Sequence, residues 1–273
     1  MENILQLYPL PGQERPLEGT YLDHQLRQYG QASAKSFIYG NYILSLDGRI
    51  AIPRLTQPGF MLPKSIANPR DWRLFQELAA QADLIISSSR YLQDWAEGRV
   101  DEILQVDRPE FADLSAWRLA QGLPPQPDIA IISSALQFTI PAVLPASGRK
   151  LIIFATAANA GQVREIEAGG GQVIIAGESQ VSAAQVAQDL AELGYLTVYL
   201  TAGPKVLHLL LAGGVMDRLY LTYANRILGG QPYLGLVEGS LLEPAFNLTL
   251  DRLYYDPYGL DGLGQLFASY NRR

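Results

Sequence analysis

Hydrophobic and polar residues follow two different periods along this chain, and together they predict alternating strands and helices from residue 37 onward. Phe37–Leu46 is rich in β-branched and aromatic residues and ends at Asp47-Gly48, which predicts a strand followed by a turn. Short, nearly all-apolar runs are typical of strands buried on both faces of a parallel sheet. Four such runs follow: Leu84–Ser87, Ile129–Ile132, Leu151–Phe154 and Val173–Ile175.

Helical spacing of apolar residues lies between these runs. The residues after Asn68-Pro69 show it as far as Ala82, with Asn68 as the expected cap. The same spacing predicts later helices at Ala158–Ala168, Ala183–Leu193 and Pro204–Leu211. Leu196–Leu200 is a further predicted strand. Alternating segments divided by Gly, Pro and Asp predict closing antiparallel strands at Leu219–Tyr223, Phe246–Tyr254 and Leu266–Tyr270. This order predicts an α/β domain with a mixed sheet.

Two segments lie outside this regular pattern. Residues 1–36 contain several prolines and precede the first strong apolar run, so they are predicted to be an N-terminal arm packed on a domain that spans residues 37–273. Residues 91–127 are acidic, with helical patterns over Trp95–Val106 and Ala112–Ala120. They are predicted to form an insertion near one end of the sheet.

Composition narrows the class of protein. The chain has 273 residues, 27 acidic side chains and 21 basic ones, so its net charge of −6 argues against nucleic acid as a partner. There is no cysteine, and His24 and His208 are the two histidines, which argues against a zinc site or a Ser–His–Asp enzyme, and no metal is expected. A secretory leader and a membrane-spanning apolar run are both missing, so a soluble, cytoplasmic protein is expected.

The first candidate site is the strand-to-helix turn Leu200-Thr201-Ala202-Gly203-Pro204-Lys205. Glycine lets a phosphate approach the backbone closely, and the free N–H groups at the start of a helix favour an anion. Proline suits the first helical position because its missing N–H would have been unpaired there. The same residues also fit a sharp structural turn without a ligand, and both interpretations stay open.

Two further candidates follow predicted strands. Ser87-Ser88-Ser89-Arg90 lies at the carboxyl end of a buried strand, where ligands bind in open α/β sheets. Its hydroxyls and arginine suit a phosphate, although a helix cap in a solvated loop explains them equally well. The segment Asn41–Ala51 contains Asp47-Gly48, which fits a plain turn as readily as a site.

At Ser45-Leu46-Asp47-Gly48-Arg49-Ile50-Ala51 the chain resembles the C-terminal reductase domain of the bifunctional riboflavin-biosynthesis deaminase/reductase. Three more segments match that family in order, and the resemblance extends from about Phe37 to the C-terminus. They are Asp71-Trp72-Arg73-Leu74-Phe75 with Ala82-Asp83-Leu84-Ile85-Ile86, Pro127–Ser133 with Leu136–Leu144, and Gly203-Pro204 with Gly213–Leu219 and Leu228-Gly229-Gly230.

This resemblance implies a dihydrofolate-reductase-like fold, with a mixed, mostly parallel sheet, flanking helices and an antiparallel C-terminal hairpin. The implied activity is NADPH-dependent reduction, by hydride transfer, of a ribosylamino-pyrimidine 5′-phosphate in riboflavin biosynthesis, or of a related heterocycle. A homodimer is also implied. No deamination is expected, because the deaminase half of the bifunctional protein is missing from this chain.

The resemblance also implies roles for individual residues. Asp47 would be catalytic, orienting the substrate or relaying a proton, while Asn41 and Ser45 would bind the substrate and Arg49 would anchor its phosphate. NADPH would lie against two turns. Its pyrophosphate would be held by Ala202, Gly203, Pro204 and Lys205, and its 2′-phosphate by Ser88, Ser89 and Arg90.

The chain departs from the family at both of these turns. Ser88–Tyr91 replaces a glycine-rich turn that ends in threonine, so added side chains, including the ring of Tyr91, are expected to narrow the space for the cofactor. Thr201-Ala202 replaces Glu-Gly before Gly203. Two alternatives therefore stay open: a non-catalytic binding or interaction protein that has kept the fold without the cofactor, and a reductase with another substrate.

Overall fold

The computed structural model describes residues 1–33, 35–55, 58–133, 136, 138–157 and 160–273. The described residues form these strands: β1 (Ile4–Tyr8), β2 (Gln13–Arg15), β3 (Phe37–Ser45), β4 (Arg49–Pro53), β5 (Phe60–Met61), β6 (Leu84–Ser87), β7 (Asp128–Ile132), β8 (Leu151–Ala155), β9 (Gly171–Ile175), β10 (Thr197–Leu200), β11 (Arg218–Ala224), β12 (Leu234–Gly235), β13 (Leu248–Asp256) and β14 (Gln265–Arg272). Their helices are α1 (Leu26–Ser33), α2 (Pro69–Ala80), α3 (Ser89–Ala96), α4 (Ala112–Ala120), α5 (Val143–Ala146), α6 (Ala160–Ala168), α7 (Ala183–Glu192), α8 (Pro204–Ala212) and α9 (Gly259–Gly262).

Eleven of these strands form one mixed sheet in the order β2-β1-β13-β14-β11-β3-β10-β6-β7-β8-β9. From β11 to β9 every neighbouring pair is parallel. From β11 to β2 every pair is antiparallel. A second sheet, β12-β4-β5, follows the turn at the end of β3. This architecture confirms the predicted fold class.

Both faces of the parallel half are covered, which explains why its strands are almost entirely apolar. On one face α7 and α8 pack through Val186, Leu190 and Leu207 against the sheet. On the other face α2 packs through Leu74 and Leu78. The start of α2 lies where the sequence predicts it. Asn68 caps α2, accepting hydrogen bonds from the backbone N–H of Arg70 and Asp71 at 3.2 and 3.0 Å, as predicted.

The antiparallel strand predicted at Leu219–Tyr223 is confirmed by the pairing of β11 with β14, whereas the parallel pairing of β11 with β3 was not predicted. One prediction for an individual element is wrong. The helix expected over Trp95–Val106 does not form, since α3 ends at Ala96 and Gly98 follows with a φ of +69°. The helix at Ala112–Ala120 is confirmed as α4, and the first two residues of the helix predicted at Ala158–Ala168 lie outside the described residues.

Residues 1–36 join the main sheet through β1, which pairs with β13. Buried Glu77 of α2 holds this segment, accepting hydrogen bonds from the backbone N–H of Gly19 at 2.6 Å and of Tyr21 at 2.9 Å. Residues 91–127 are held to the C-terminal end of α2 and the residues that follow it. There the buried Arg118 guanidinium donates to the carbonyls of Ala80 and Ala82 at 2.8 and 2.9 Å.

The domain boundary at residue 36 and the status of residues 91–127 as an insertion remain predictions. None of the helices in the described ranges is long and apolar enough to cross a membrane.

Candidate active site

The strand order predicts a crevice between the carboxyl ends of β6 and β10. These strands are neighbours, and the Thr201 N–H that follows β10 donates to the Ile86 carbonyl of β6 at 2.9 Å. From here β6 leads to α3 on one face of the sheet, while β10 leads to α8 on the other. Open α/β sheets bind ligands where the segments that follow two adjacent strands go to opposite faces of the sheet.

The α8 turn offers backbone N–H groups beside open space. Gly203 is the N-cap residue of α8 with φ −70°, and no side chain caps this helix. A Cβ added to Gly203 would meet no atom within 4 Å, so the glycine is not required by packing. Lys205 is exposed in the first helical turn, and Pro204 is buried at its start. The turn can therefore accept an anion without rearranging.

Ala202, the predicted cofactor residue that replaces a family glycine, fits this turn. It is buried and lacks the positive φ that would favour glycine. Its carbonyl accepts a hydrogen bond from the Tyr42 hydroxyl of β3 at 2.9 Å. The substitution therefore leaves the backbone of the turn unstrained at this position.

The neighbouring α3 turn is capped by its own serine. The Ser88 hydroxyl accepts a hydrogen bond from the Tyr91 N–H at 3.1 Å, and Ser89 is the first residue of the helix. Arg90 is exposed and lies against Gly59, whose φ is +112°. Its guanidinium reaches the Pro58 carbonyl at 3.5 Å, which places a cation between α3 and the β4–β5 connection.

The ring of Tyr91 was expected to narrow the space for the cofactor, but it points away from that space. Its ring packs beneath α3 against the apolar core and lies 5.7 Å from the ring of Trp95, while its hydroxyl donates to the Asp101 carbonyl at 3.2 Å. The helix starts at Ser89, and this turns position 91 toward residues 91–127. The space between the two turns is therefore free of this side chain.

Asp47 lies at the centre of the turn between β3 and β4. Its carboxylate accepts hydrogen bonds from the Ser45 hydroxyl at 2.5 Å and from the backbone N–H groups of Leu228 and Gly229 at 3.3 and 2.8 Å. The Ser45 hydrogen bond, followed by that of Gly229, lowers the pKa of Asp47 to about 2. The side chain therefore stays ionised, which favours an orienting role over proton relay.

Arg49 completes the same turn. Its guanidinium pairs with the Asp47 carboxylate and donates to the Gly230 carbonyl at 2.9 Å. It also lies 4.1 Å above the ring of Tyr233. Since these contacts occupy both terminal nitrogens, a substrate phosphate would have to share or displace them, and the predicted anchoring role remains a prediction.

The structure groups the predicted residues into two separate sets. Ser45, Asp47 and Arg49 form one hydrogen-bonded turn, whereas the cofactor residues form the two turns after β6 and β10. Strand β3 continues for five residues from Gly40, the partner of Leu200, to Ser45, which is about 17 Å at 3.3 Å per residue. The two sets therefore lie near opposite ends of this part of β3.

Asn41 lies on β3 between Gly40 and Ser45. Polar residues that the sequence analysis missed are buried beside it. Like Ser45, it points from β3 to the α2 face, where Tyr199 of β10 and Thr222 of β11 are buried beside it. Asp71 of α2 is buried there too. Burial raises the pKa of Asp71 to about 6, and a hydrogen bond from Thr222 offsets part of the shift.

A weak sequence signal for Asp71 did exist. It lies three and seven residues before Leu74 and Leu78, on the helix face that packs on the sheet. An acidic residue in the first turn of a helix is common, because it interacts favourably with the helix dipole, and this hid the unusual position.

Comparison with known proteins identifies the family of the chain and solved structures with a similar fold. The model of the RibD C-terminal domain family matches residues 36–256. The fold is similar to a pyrimidine reductase-like protein from Corynebacterium diphtheriae, with 20% identity and a TM-score of 0.65 over 87% of this chain and 92% of that one. No curated protein matches the chain.

Two more solved structures share the fold. Acinetobacter baumannii RibD is 13% identical with a TM-score of 0.61, over 92% of this chain and 62% of that one. The riboflavin biosynthesis reductase Rib7 of Saccharomyces cerevisiae is 15% identical with a TM-score of 0.58, over 93% of this chain and 99% of that one.

Proposed function

The chain belongs to the RibD C-terminal domain family, and on that premise we propose that it is an NADPH-dependent reductase in riboflavin biosynthesis. Its substrate is a ribosylamino-pyrimidine 5′-phosphate or a related heterocycle, reduced to the ribitylamino form. The names of its structural relatives, a pyrimidine reductase-like protein and a riboflavin biosynthesis reductase, support a small-molecule substrate of this class.

The observation that carries the proposal is the start of α8, which no side chain caps. It lies where the segments that follow β6 and β10 go to opposite faces of the sheet. Gly203 has free space where a side chain would lie, and exposed Lys205 and Arg90 add positive charge at the two neighbouring turns. Backbone N–H groups and cations suit the pyrophosphate and the 2′-phosphate of NADPH. The residues present therefore fit this cofactor.

Bound NADPH supplies a hydride for C1 of the opened ribose. The protein positions the reactants and excludes water, and this does not require histidine. Asn41 and Ser45 face the substrate from β3. Asp47 orients it as a fixed carboxylate, because its low pKa keeps it from exchanging a proton near neutral pH.

A fluorescence titration with NADPH and NADH tests the cofactor assignment. We expect the wild type to bind NADPH, and Arg90→Ala to weaken that binding by about 1–3 kcal/mol while affinity for NADH changes little, because a charged hydrogen bond to the 2′-phosphate is lost. Arg108→Ala is a matched control, since Arg108 is an exposed arginine paired with Asp101 in the 91–127 segment.

The same experiment separates the alternatives. If NADPH neither binds nor raises the melting temperature at any accessible concentration, the reductase proposal fails and a non-catalytic binding protein remains. If the protein oxidises NADPH with pterins or other carbonyl compounds but not with the ribosylamino-pyrimidine, it is a reductase for another substrate. The homodimer and the cytoplasmic location stay predictions.

A further inference from the structure

The Tyr42 hydroxyl holds the turn before α8 from inside the protein. Tyr42 belongs to β3, and its side chain is buried in the apolar core on the α8 face of the sheet. Its hydroxyl donates a hydrogen bond to the Ala202 carbonyl at 2.9 Å. Burial raises the pKa of Tyr42 far above its usual value of 10, so the hydroxyl remains a donor near neutral pH.

The neighbouring glycine of β3 makes room for this ring. Gly40 pairs with Leu200, the last residue of β10. A Cβ added to Gly40 would lie 3.4 Å from Tyr42 Cε2 and 3.3 Å from Met216 Cε, which is closer than most Cβ contacts. The ring therefore lies beside Gly40, and from there its hydroxyl reaches the turn that follows β10.

The hydrogen bond fixes a whole peptide group. The Ala202 carbonyl and the Gly203 N–H belong to one trans peptide, in which these two groups point in opposite directions. Within the described ranges, Tyr42 is the one residue that makes a hydrogen bond to this peptide, and the Gly203 N–H has no acceptor. Anchoring the carbonyl on a buried side chain therefore turns the Gly203 N–H outward, toward the open space beside Gly203.

We propose that Tyr42 is a positioning residue for the cofactor, because its hydroxyl aims the Gly203 N–H at the pyrophosphate of NADPH. The inference rests on the proposed function and adds to it a residue that does not itself touch the ligand. A donor that is held in place before binding loses little freedom on binding, which raises affinity without a new contact. Tyr42 acts on the pyrophosphate alone, since the 2′-phosphate is assigned to the turn at Ser88–Arg90.

Tyr42→Phe tests the proposal, because it removes the hydroxyl and keeps the ring. We expect the Kd of NADPH, measured by titration calorimetry, to rise about three- to tenfold, the usual effect of losing one hydrogen bond. Adenosine 2′-monophosphate carries the 2′-phosphate without a pyrophosphate, and its Kd should stay unchanged. General loosening of the protein would instead weaken both ligands.

Tyr39→Phe is the matched control. Tyr39 lies earlier on the same strand, and its buried hydroxyl also donates to a backbone carbonyl, that of Leu78 at 2.7 Å. Its ring packs on the opposite, α2 face of the sheet. This variant loses a comparable hydrogen bond and should lower the melting temperature, while the Kd values of NADPH and adenosine 2′-monophosphate remain those of the wild type.

Amide hydrogen exchange of the wild type gives a second test, which holds even if Tyr42→Phe does not fold. The Gly203 N–H should exchange rapidly in the free protein and about tenfold more slowly, or slower still, with saturating NADPH. A Gly203 N–H that is already protected in the free protein, or that NADPH leaves unprotected, overturns the inference.

Two results with a folded Tyr42→Phe variant also overturn it. These are an NADPH affinity equal to that of the wild type and an equal loss of affinity for both ligands, and either one makes the Tyr42 hydrogen bond a structural contact only. With NADPH still bound by the wild type, the proposed function then stands. If the wild type binds no NADPH, the proposed function fails, and this inference fails with it.

Discussion

At the scale of single residues, Asp47 connects two loops that are far apart in sequence. Within its own turn, its carboxylate accepts a hydrogen bond from the Ser45 hydroxyl and pairs with the Arg49 guanidinium. It also accepts hydrogen bonds from the N–H groups of Leu228 and Gly229, in the segment after β11. Each donor favours the ionised form. The same contacts that hold the loops together therefore keep the group from acting as an acid near neutral pH.

Asp47 should make the stability of the protein acid-sensitive in a narrow range. Its folded pKa of about 2 lies below the unfolded value of 3.8, so its contribution is present above about pH 4 and is lost as the pH falls toward 2. We expect Asp47→Asn to lower the melting temperature at pH 7 and the difference from wild type to shrink between pH 4 and pH 2. Thermal unfolding measured across this range tests the prediction.

Asp107→Asn, on the exposed surface of the 91–127 segment, is the control and should leave the melting temperature unchanged at pH 7. A difference between wild type and Asp47→Asn that stays constant from pH 7 to pH 2 would show that the lost contacts do not depend on charge.

The proximity of the residues in the β3–β4 turn was predictable from sequence. Ser45, Asp47 and Arg49 are neighbours in the chain, and a turn after a strand brings such residues together whatever the rest of the fold does. Asp71 was missed because Thr222, which donates a hydrogen bond to it, comes from a strand about 150 residues further along the chain. Only the strand order reveals that group.

At the scale of elements, the two helices that start at the crevice differ in how their free N–H groups are satisfied. The Ser88 hydroxyl caps α3, whereas no side chain caps α8 at Gly203. Since the first N–H groups of a helix lack partners within it, α8 is the helix left available to an anion.

Gly203→Ala should therefore separate binding from folding. The φ of −70° suits alanine and no atom lies near the added Cβ, so the free energy of unfolding should change by no more than about 1 kcal/mol. The Cβ would occupy the approach to the backbone, and we expect the Kd for NADPH to rise about tenfold or more, which is about 1.4 kcal/mol. Fluorescence titration and chemical denaturation measure the two effects.

Gly214→Ala gives the opposite pattern and serves as the comparison. Gly214 follows the C-cap of α8 with a φ of +63°, so a side chain there should cost about 1–2 kcal/mol of stability without affecting the turn at Gly203. NADPH affinity that is unchanged in Gly203→Ala would mean that the α8 turn is only a structural turn.

Most helices and parallel strands were predictable because their signals are local. The apolar run at Leu84–Ser87 coincides with β6, and Asn68 with Pro69 marks the start of α2. Short β4, β5 and β12 were not predicted, because strands of two to five residues carry little alternating pattern of their own. The parallel pairing of β11 with β3 was not predicted, because β3 lies almost 180 residues earlier in the chain.

At the scale of the whole molecule, the first 36 residues are joined to the last strands through a buried histidine. His24 lies between the hydroxyls of Tyr220 and Tyr254, at 2.8 Å from Nδ1 and 3.1 Å from Nε2. Burial, followed by the positive charges of Arg252 and Arg218, lowers the pKa of His24 well below 6.5. The folded protein therefore keeps this imidazole neutral in mildly acidic solution.

Folding stability should depend on pH through His24. Because its folded pKa lies below the unfolded value of 6.5, its contribution is complete above about pH 6.5 and is lost as the pH falls, by up to about 1.4 kcal/mol per pH unit. Asp71 opposes this, since its folded pKa of about 6 exceeds the unfolded 3.8 and its contribution grows as the pH falls toward 4. The net slope of the wild type therefore underestimates the effect of His24.

Comparison with His24→Asn isolates the histidine. Urea denaturation should show this variant less stable than wild type at pH 7.5, because a buried pair of hydrogen bonds is disturbed, and the gap should narrow as the pH falls to 5. His208→Asn is the control, since His208 lies half-buried on α8 with Nε2 at 2.8 Å from the Ser240 carbonyl oxygen, away from the N-terminal segment. If the gap for His24→Asn stays constant between pH 7.5 and pH 5, protonation of His24 does not couple this segment to the stability of the sheet.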